Sequence, residues 1–311
     1  MATIMLAVPS CAFALSGSVT DTTAAASGTP LQAAVTPRRS QLGHAVTVTG
    51  VAPAADAGRW AMLETAPGKG GGWRVLRSTR IASGGHFRLR TRLRRSGYVR
   101  VIDVATAASP SSVSSSLSAA NPAAGTSPPL PVTVAAQLSV PRRSLNALGG
   151  TPVVVRGRLM PARAGRWVRL QGHFANGWRT LARGRTGSAG GFGLRYIAAS
   201  GLKRRLRVGF AGDRLNARSV QPAGQLTVYS QSLASWYDDA GNTACGFHAG
   251  LGVANRSLPC GTKVRLRYGG RSVTATVDDR GPYVGGRDWD LNQNTAAALG
   301  FGGVGTVWVN Q

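Results

Sequence analysis

The sequence predicts a mainly β protein: two similar β-sandwich domains in tandem, followed by a small barrel. Three observations carry this. Short runs of alternating apolar and polar residues, broken by glycine, recur along the chain. One unit of roughly 100 residues occurs twice, which is the length of a whole domain. The charge is split between a strongly basic front part and a near-neutral end.

Length and composition bound the reading. A chain of 311 residues is long enough for two or three domains. With 43% hydrophobic residues and a mean hydropathy of −0.04, it is not a disordered tail protein. No apolar run reaches the roughly 18 residues that a membrane span requires, so no transmembrane segment is read. The 42 glycines follow no G-x-y period and indicate turns between short strands rather than collagen. Lys and Arg number 37 against 11 Asp and Glu, a net charge of +26. All but Lys69, Lys203 and Lys263 are arginine. Thirty of the bases and five of the acids precede residue 231, leaving about +25 there, whereas the remainder is close to neutral. Such a balance implies anionic partners. No recognition helix, zinc finger or RNP-like aromatic motif is present, so nucleic acid is not read as the partner. Anionic polymers of the cell envelope are, with the arginines as ordinary solvated strand faces the plainer alternative.

Residues 1–30 read as a signal peptide and flexible N-terminus. Met1 to Leu15 is apolar, and Ala12-Phe13-Ala14 fits a small-x-small cleavage site, although the basic n-region is missing. Val8-Pro9-Ser10-Cys11 makes a poor lipobox because of its proline, so a lipid anchor is the lesser alternative to plain secretion.

The two copies follow at 31–104 and 135–230. Pro37-Arg38-Arg39-Ser40 recurs as Pro141-Arg142-Arg143-Ser144, Gly58-Arg59-Trp60 as Gly165-Arg166-Trp167, and Gly72-Trp73-Arg74 as Gly177-Trp178-Arg179. Val46-Thr47-Val48, Trp60 to Leu63, Trp73 to Leu76 and Phe87 to Arg90 alternate with period two, as half-buried strands do. Several such strands per copy predict an immunoglobulin-like β-sandwich. Trp60, Trp73, Trp167 and Trp178 are expected in the cores, with sugar stacking as the alternative. The Ala/Ser/Pro-rich stretch 105–134 is expected to be a linker.

From 231 to 311 the text changes. Cys245 and Cys260 are an even pair in one small domain and are expected to form a disulfide, reduced thiols being the alternative. Closing that loop of about 15 residues is worth roughly 3 kcal/mol in the chain-entropy model. Metal chemistry at the two cysteines lacks further ligands, since His248 is the only histidine of this region; no metal or other cofactor is read. Thr262 to Tyr268, Gly269-Gly270 and Ser272 to Val277 predict a hairpin. Asn292 to Leu299 predicts a short helix, with Asn292 as N-cap and Gly300 past its end, and Gly305 to Val309 a final strand. Together these make a six-stranded barrel.

The region carries Ala234-Ser235-Trp236-Tyr237, Ser257-Leu258-Pro259-Cys260-Gly261-Thr262, Asp279-Arg280-Gly281-Pro282 and Asp290-Leu291, in that order. In this combination it resembles the rare lipoprotein A (RlpA) family. The resemblance covers about 80 residues and implies a double-psi β-barrel related to the first domain of expansins and to some lytic transglycosylases. It implies peptidoglycan or another cell-wall glycan as ligand, and a cell-wall location. It places Asp279 and Asp290 at the family's acidic groove positions, with Asp290 as the key acid. A lytic transglycosylase uses one acid to protonate the glycosidic oxygen and then to assist attack by the sugar's own 6-hydroxyl, which calls for a raised pKa from partial burial. The plainer alternatives are that Asp279 pairs with Arg280 or Arg287 and that Asp290 caps the following helix. Trp236, Tyr237, His248, Asn255, Arg280, Tyr283 and Trp289 are the candidate sugar contacts. Two departures weigh against cleavage. Phe247 follows Cys245-Gly246 where the family has glutamate, and Asn255 replaces its histidine. Three functions stay open: glycan binding by an exported wall protein, glycan cleavage, and expansin-like loosening of noncovalent contacts.

Overall fold

In a computed structural model, residues 31–104, 125–141, 143–238 and 241–311 are described here. The signal peptide and Cys11 expected in the first 30 residues, and most of the expected linker, lie outside these residues.

The first module contains β1 (Gln32–Thr36), β2 (Arg39–Gln41), β3 (Ala45–Val51), β4 (Trp60–Ala66), β5 (Arg74–Arg80), β6 (His86–Arg92), β7 (Gly97–Val104) and β8 (Leu130–Ala135). One sheet runs β1-β3-β6, the other β5-β4-β7-β8-β2, with β2 and β8 parallel. The second module contains β9 (Gln137–Ser139), β10 (Arg143–Leu148), β11 (Pro152–Met160), β12 (Trp167–Phe174), β13 (Gly177–Arg185), β14 (Gly191–Ile197), β15 (Lys203–Gly212) and β16 (Ala217–Tyr237). Its sheets run β9-β11-β14 and β13-β12-β15-β16-β10, with β10 and β16 parallel. Strand for strand, the second module repeats the pairing of the first.

The alternation read from the sequence builds both cores. In β6 the burial follows the residues one by one: Phe87, Leu89 and Thr91 are buried between exposed His86, Arg88, Arg90 and Arg92. Val46, Val48, Leu63, Val99 and Val101 close the first core, and Val155, Leu159, Leu170, Leu194 and Val208 the second. Each such side chain contributes about 1.5–3 kcal/mol on burial. A packing device is duplicated as well. Gly50 sits opposite Phe87, and Gly157 opposite Phe192, and each phenyl ring lies where a Cβ on the glycine would stand.

Two expectations need correction. Trp60, Trp73 and Trp178 are only partly buried, and Trp167 is exposed; none belongs to a core cluster. Period two fixes that a residue alternates, not which face is inward, and these four lie on the polar face under arginines. The linker expected over 105–134 ends earlier: Leu130–Ala135 pairs with β7 and buries Val132 and Val134 in the first core.

β16 is shared. It pairs with β15 and β10 in the second module, then with β21 and β20 in the barrel. At the crossing Tyr229 is fully buried. Its hydroxyl meets Asn146 Oδ1 at 3.1 Å and accepts from Arg265 Nε at 3.1 Å, while Asn310 Nδ2 donates to the Val228 carbonyl at 2.8 Å. The boundary expected at residue 231 therefore falls within one uninterrupted strand.

The barrel adds β17 (Gly252–Ala254), β18 (Lys263–Tyr268), β19 (Arg271–Asp279), β20 (Trp289–Asn292), α1 (Gln293–Leu299) and β21 (Gly305–Asn310). The order β20-β17-β19-β18-β21-β16 closes through a β16–β20 pairing, and β16–β20 and β17–β19 are the parallel pairs. α1 begins as expected: Asn292 accepts from the Thr295 N–H at 2.9 Å, and Gly300 ends it in the left-handed conformation. No helix among the described residues is long and apolar enough to cross a membrane.

Candidate functional site

The strand register assembles the site. Ser235 on β16 pairs with Asp290 on β20, Asp290 with Ala254 on β17, and Ala254 with Asp279 on β19. These four residues stand in one row across four adjacent strands. Two strand spacings put the Asp279 and Asp290 backbones about 10 Å apart. Trp289 and Leu291 point into the barrel core, so the alternation turns Asp290 outward between them. The loop 280–288 connects the two aspartate-bearing strands and rims the row.

Asp290 is half-buried, and its Oδ1 is buried with no hydrogen-bond partner of good geometry. Burial pushes its carboxyl above the ordinary carboxylate range. The Ser235 hydroxyl and the Arg287 guanidinium pull the other way, and the charge of Asp279 adds to the push. The helix cap is Asn292, so the alternative in which Asp290 caps α1 is overturned. Its surroundings thus favour the protonated form more than water does.

Asp279 does a different job. Its Oδ1 accepts from the backbone N–H of Ala244 at 2.7 Å and of Arg280 at 2.8 Å. Its neighbour Asp278, fully buried, accepts from Ala249 N–H through Oδ2 at 2.8 Å. Two consecutive aspartates thus hold the 243–249 loop against the end of β19. The Cys245–Cys260 disulfide, present as expected, ties the same loop to the 255–260 turn. Gly252 sits where any Cβ would run into the Asp278 carboxylate. Asp278 had no individual role in the sequence reading, and nothing in a single sequence marks which of two adjacent aspartates faces inward.

Several expected sugar contacts are occupied within the protein. Asn255 Oδ1 accepts from Ser257 and Leu258 N–H at 3.1 and 2.9 Å, and its Nδ2 donates to the Asp288 carbonyl at 3.2 Å. Arg280 donates through Nη1 to the Asn255 and Leu258 carbonyls, at 3.1 and 2.8 Å, and its Nη2 lies 3.0 Å from Cys260 Sγ. Both residues build the rim rather than extend from it. Trp289 is 3% exposed and belongs to the barrel core, which corrects its expected place among the sugar contacts. Tyr237 is half-buried beside the row, its partner in register being Asn292. Tyr283, 80% exposed, stands on the 280–288 rim beside exposed Val284; Trp236 and His248 are also exposed. Arg256 fixes this rim by donating to the Pro282 carbonyl at 3.0 Å, with Asp288 at 3.6 Å.

Comparison with known proteins places the C-terminal region. Residues 229–310 match the family model described as lytic transglycolase, a double-psi β-barrel. Two proteins named probable endolytic peptidoglycan transglycosylase RlpA are similar to this chain. That of Synechocystis sp. (strain ATCC 27184 / PCC 6803 / Kazusa) is 37% identical over 91 residues, covering 24% of this chain and 26% of its own length. That of Nostoc sp. (strain PCC 7120 / SAG 25.82 / UTEX 2576) is 39% identical over 95 residues, covering 27% and 26%. The chain thus spans about a quarter of the length of these curated relatives.

Proposed function

With the C-terminal domain an RlpA-like double-psi β-barrel, we propose that it binds glycan strands of peptidoglycan or a related wall polymer and that Asp290 is its general acid. The observation that carries this is the half-buried Asp290 carboxyl, set in one row with Ser235, Ala254 and Asp279 and raised in pKa by burial. It donates its proton to the glycosidic oxygen as the C1–O bond breaks. The resulting carboxylate accepts the proton of the sugar's C6 hydroxyl as that oxygen bonds to C1. The product is a 1,6-anhydro end, and Asp290 is again an acid. No water and no second acid enter, so the engagement of Asp279 with two backbone N–H groups is no obstacle. Tyr283 and Trp236 offer stacking surfaces for sugar rings.

The two sandwiches, each of three strands facing five, support an immunoglobulin-like assignment, with domain limits near 31–136, 137–230 and 231–311. Their positive charge suits attachment to an anionic envelope after export, salt-sensitively because exposed charges are screened within about 8 Å at physiological ionic strength.

A second reading, a barrel that binds or loosens wall glycan without cutting it, is favoured by one observation. Asn255, where the family has histidine, is locked into its own turn. The full chain incubated with purified peptidoglycan, followed by mass spectrometry, decides between the two. Anhydro-muropeptides released by the wild type and not by Asp290→Asn support cleavage; binding without release gives the second reading.

A further inference from the structure

Both sandwiches carry the same device on the outer face of the five-stranded sheet. In the first, Arg80 on β5 lies over Trp60 on β4, its cross-strand partner, with the guanidinium carbon 4.2 Å from the ring centroid. Arg100 on β7 lies 4.2 Å over Trp73. In the second, Arg185 covers Trp167 at 4.5 Å and Arg207 covers Trp178 at 4.2 Å. A guanidinium held over an indole is ordered in advance and still has N–H groups to offer an anion.

The copies differ in charge. One offset of 107 residues relates Trp60 to Trp167, Glu64 to Gln171 and Arg100 to Arg207. In the first module Arg100 Nε donates to the Glu64 carboxylate at 2.7 Å. In the second Arg207 Nε donates to the Gln171 amide oxygen at 2.9 Å. The hydrogen bond is kept and the neutralising charge is gone. Residues 135–230 hold seventeen bases against one acid, Asp213, and that acid is paired with Arg166 at 2.9 Å. On the same face Arg169 and Arg183 are exposed and directly opposite each other, a like-charge pairing that disfavours the sheet unless an anion sits between them. Burial, and next the charge of Arg218, hold the Arg207 guanidinium below its ordinary value.

Two depressions mark the ends of this face. One, of about 850 Å³, is lined by Arg163, Trp167, Arg169, Arg183 and Arg214; the other, of about 600 Å³, by Arg143, Trp178, Arg205, Arg207 and Gln225. Trp167 and His173, the partner of Trp178, are six residues apart on β12, about 20 Å. Trp167 is 52% exposed even with Arg185 over its ring.

We propose that the outer face of β13-β12-β15 is a binding site for an extended acidic polysaccharide, whose sugar rings stack on Trp167 and whose carboxylate or phosphate groups lie on Arg169, Arg183, Arg185 and Arg207. The inference deepens the envelope-attachment reading and rests on it for the source of the polymer. It assigns the contact to one face of one module, whereas at the matching position of the first module Glu64 pairs with Arg100.

The test uses the full chain and four probes: polygalacturonate, a phosphomannan, neutral dextran and single-stranded DNA. None contains the wall aminosugars proposed for the barrel groove. Gln171→Glu installs the carboxylate that the first module already carries in the same fold, and Arg169→Gln/Arg183→Gln removes an exposed pair. Wild-type protein is expected to bind one or both acidic polymers and not dextran, the response to each showing which anion is preferred. Each variant is expected to bind at least fivefold more weakly, with a shallower salt dependence. Variants that bind as wild type overturn the proposal, as does tighter binding of DNA than of either acidic polymer at equal ionic strength. If whole-envelope binding stays salt-sensitive while both variants match wild type, this face is wrong and the attachment reading stands. Envelope binding indifferent to salt removes the attachment reading itself.

Discussion

Replacing Asp290 by Asn separates chemistry from architecture at the site. The amide keeps the shape of the carboxyl but has no proton to deliver, and general acid catalysis contributes roughly 100- to 10,000-fold. Loss of anhydro-muropeptide release should therefore be near complete. Stability should move the other way. The wild-type carboxyl is half-buried, and burial penalises its charged form, a penalty that the neutral amide does not carry. The folded carboxyl lies above its ordinary range because of burial. Its contribution to stability is thus greatest at acid pH and is lost as pH rises through its folded pKa. Asn carries no such dependence, so the variant should match the wild type in mild acid and exceed it slightly at neutral pH. In the wild type, cleavage should fall as pH rises through the same raised pKa. Peptidoglycan digestion with mass spectrometry, glycan pull-down and thermal melts across pH read the three effects. A variant that melts lower at pH 7 and loses glycan binding would show that the carboxylate is structural, and retained cleavage would remove Asp290 from the chemistry.

Three further outcomes follow from the same geometry. Reducing Cys245–Cys260 should destabilise the barrel by roughly 3 kcal/mol, seen as a lower melting transition under reductant; two alkylatable thiols in the unreduced folded protein would refute it. Burial pushes Asp103 up to about 6 against the pull of Arg59, 3.2 Å away. That contribution is present in full below the ordinary carboxylate range and is lost as pH rises through 6. Asp103→Asn should raise the melting temperature of the first sandwich at pH 7.5 relative to wild type and leave it unchanged at pH 4. Gly252→Ala should cost about 3 kcal/mol by displacing the Asp278 carboxylate from Ala249; a melt equal to wild type would mean that the loop relaxes freely.

Much of the fold was legible because its rules are local. Alternation marked β3, β4, β5 and β6, Asn292 and Gly300 bracketed α1, and two cysteines in one small domain gave their own bond. Facing was not legible. Trp167 and Trp289 look alike in the text, yet one lies under an arginine in solvent and the other in the barrel core. The acids of the site were visible through the resemblance, but their division of labour was not. Asp279 is consumed by backbone donors that arrive from residue 244, and no spacing in the sequence reveals that approach. That Asn255 and Arg280 build the rim was hidden for a similar reason: turn-building and ligand-binding draw on the same polar side chains.

The uninterrupted run of β16 has a consequence for reach. Its 21 residues, at up to about 3.3 Å each and with a bulge at Ala223 and Gly224, trace at most roughly 70 Å of chain from the second sandwich into the wall of the barrel. A flexible tether would let the barrel search a volume. A paired strand with Tyr229 buried at its midpoint behaves instead as a strut, fixing both distance and bearing. If the sandwich face holds one polymer and the groove another, the protein acts as a gauge: only wall in which the two chains run at that separation and angle can engage both ends at once.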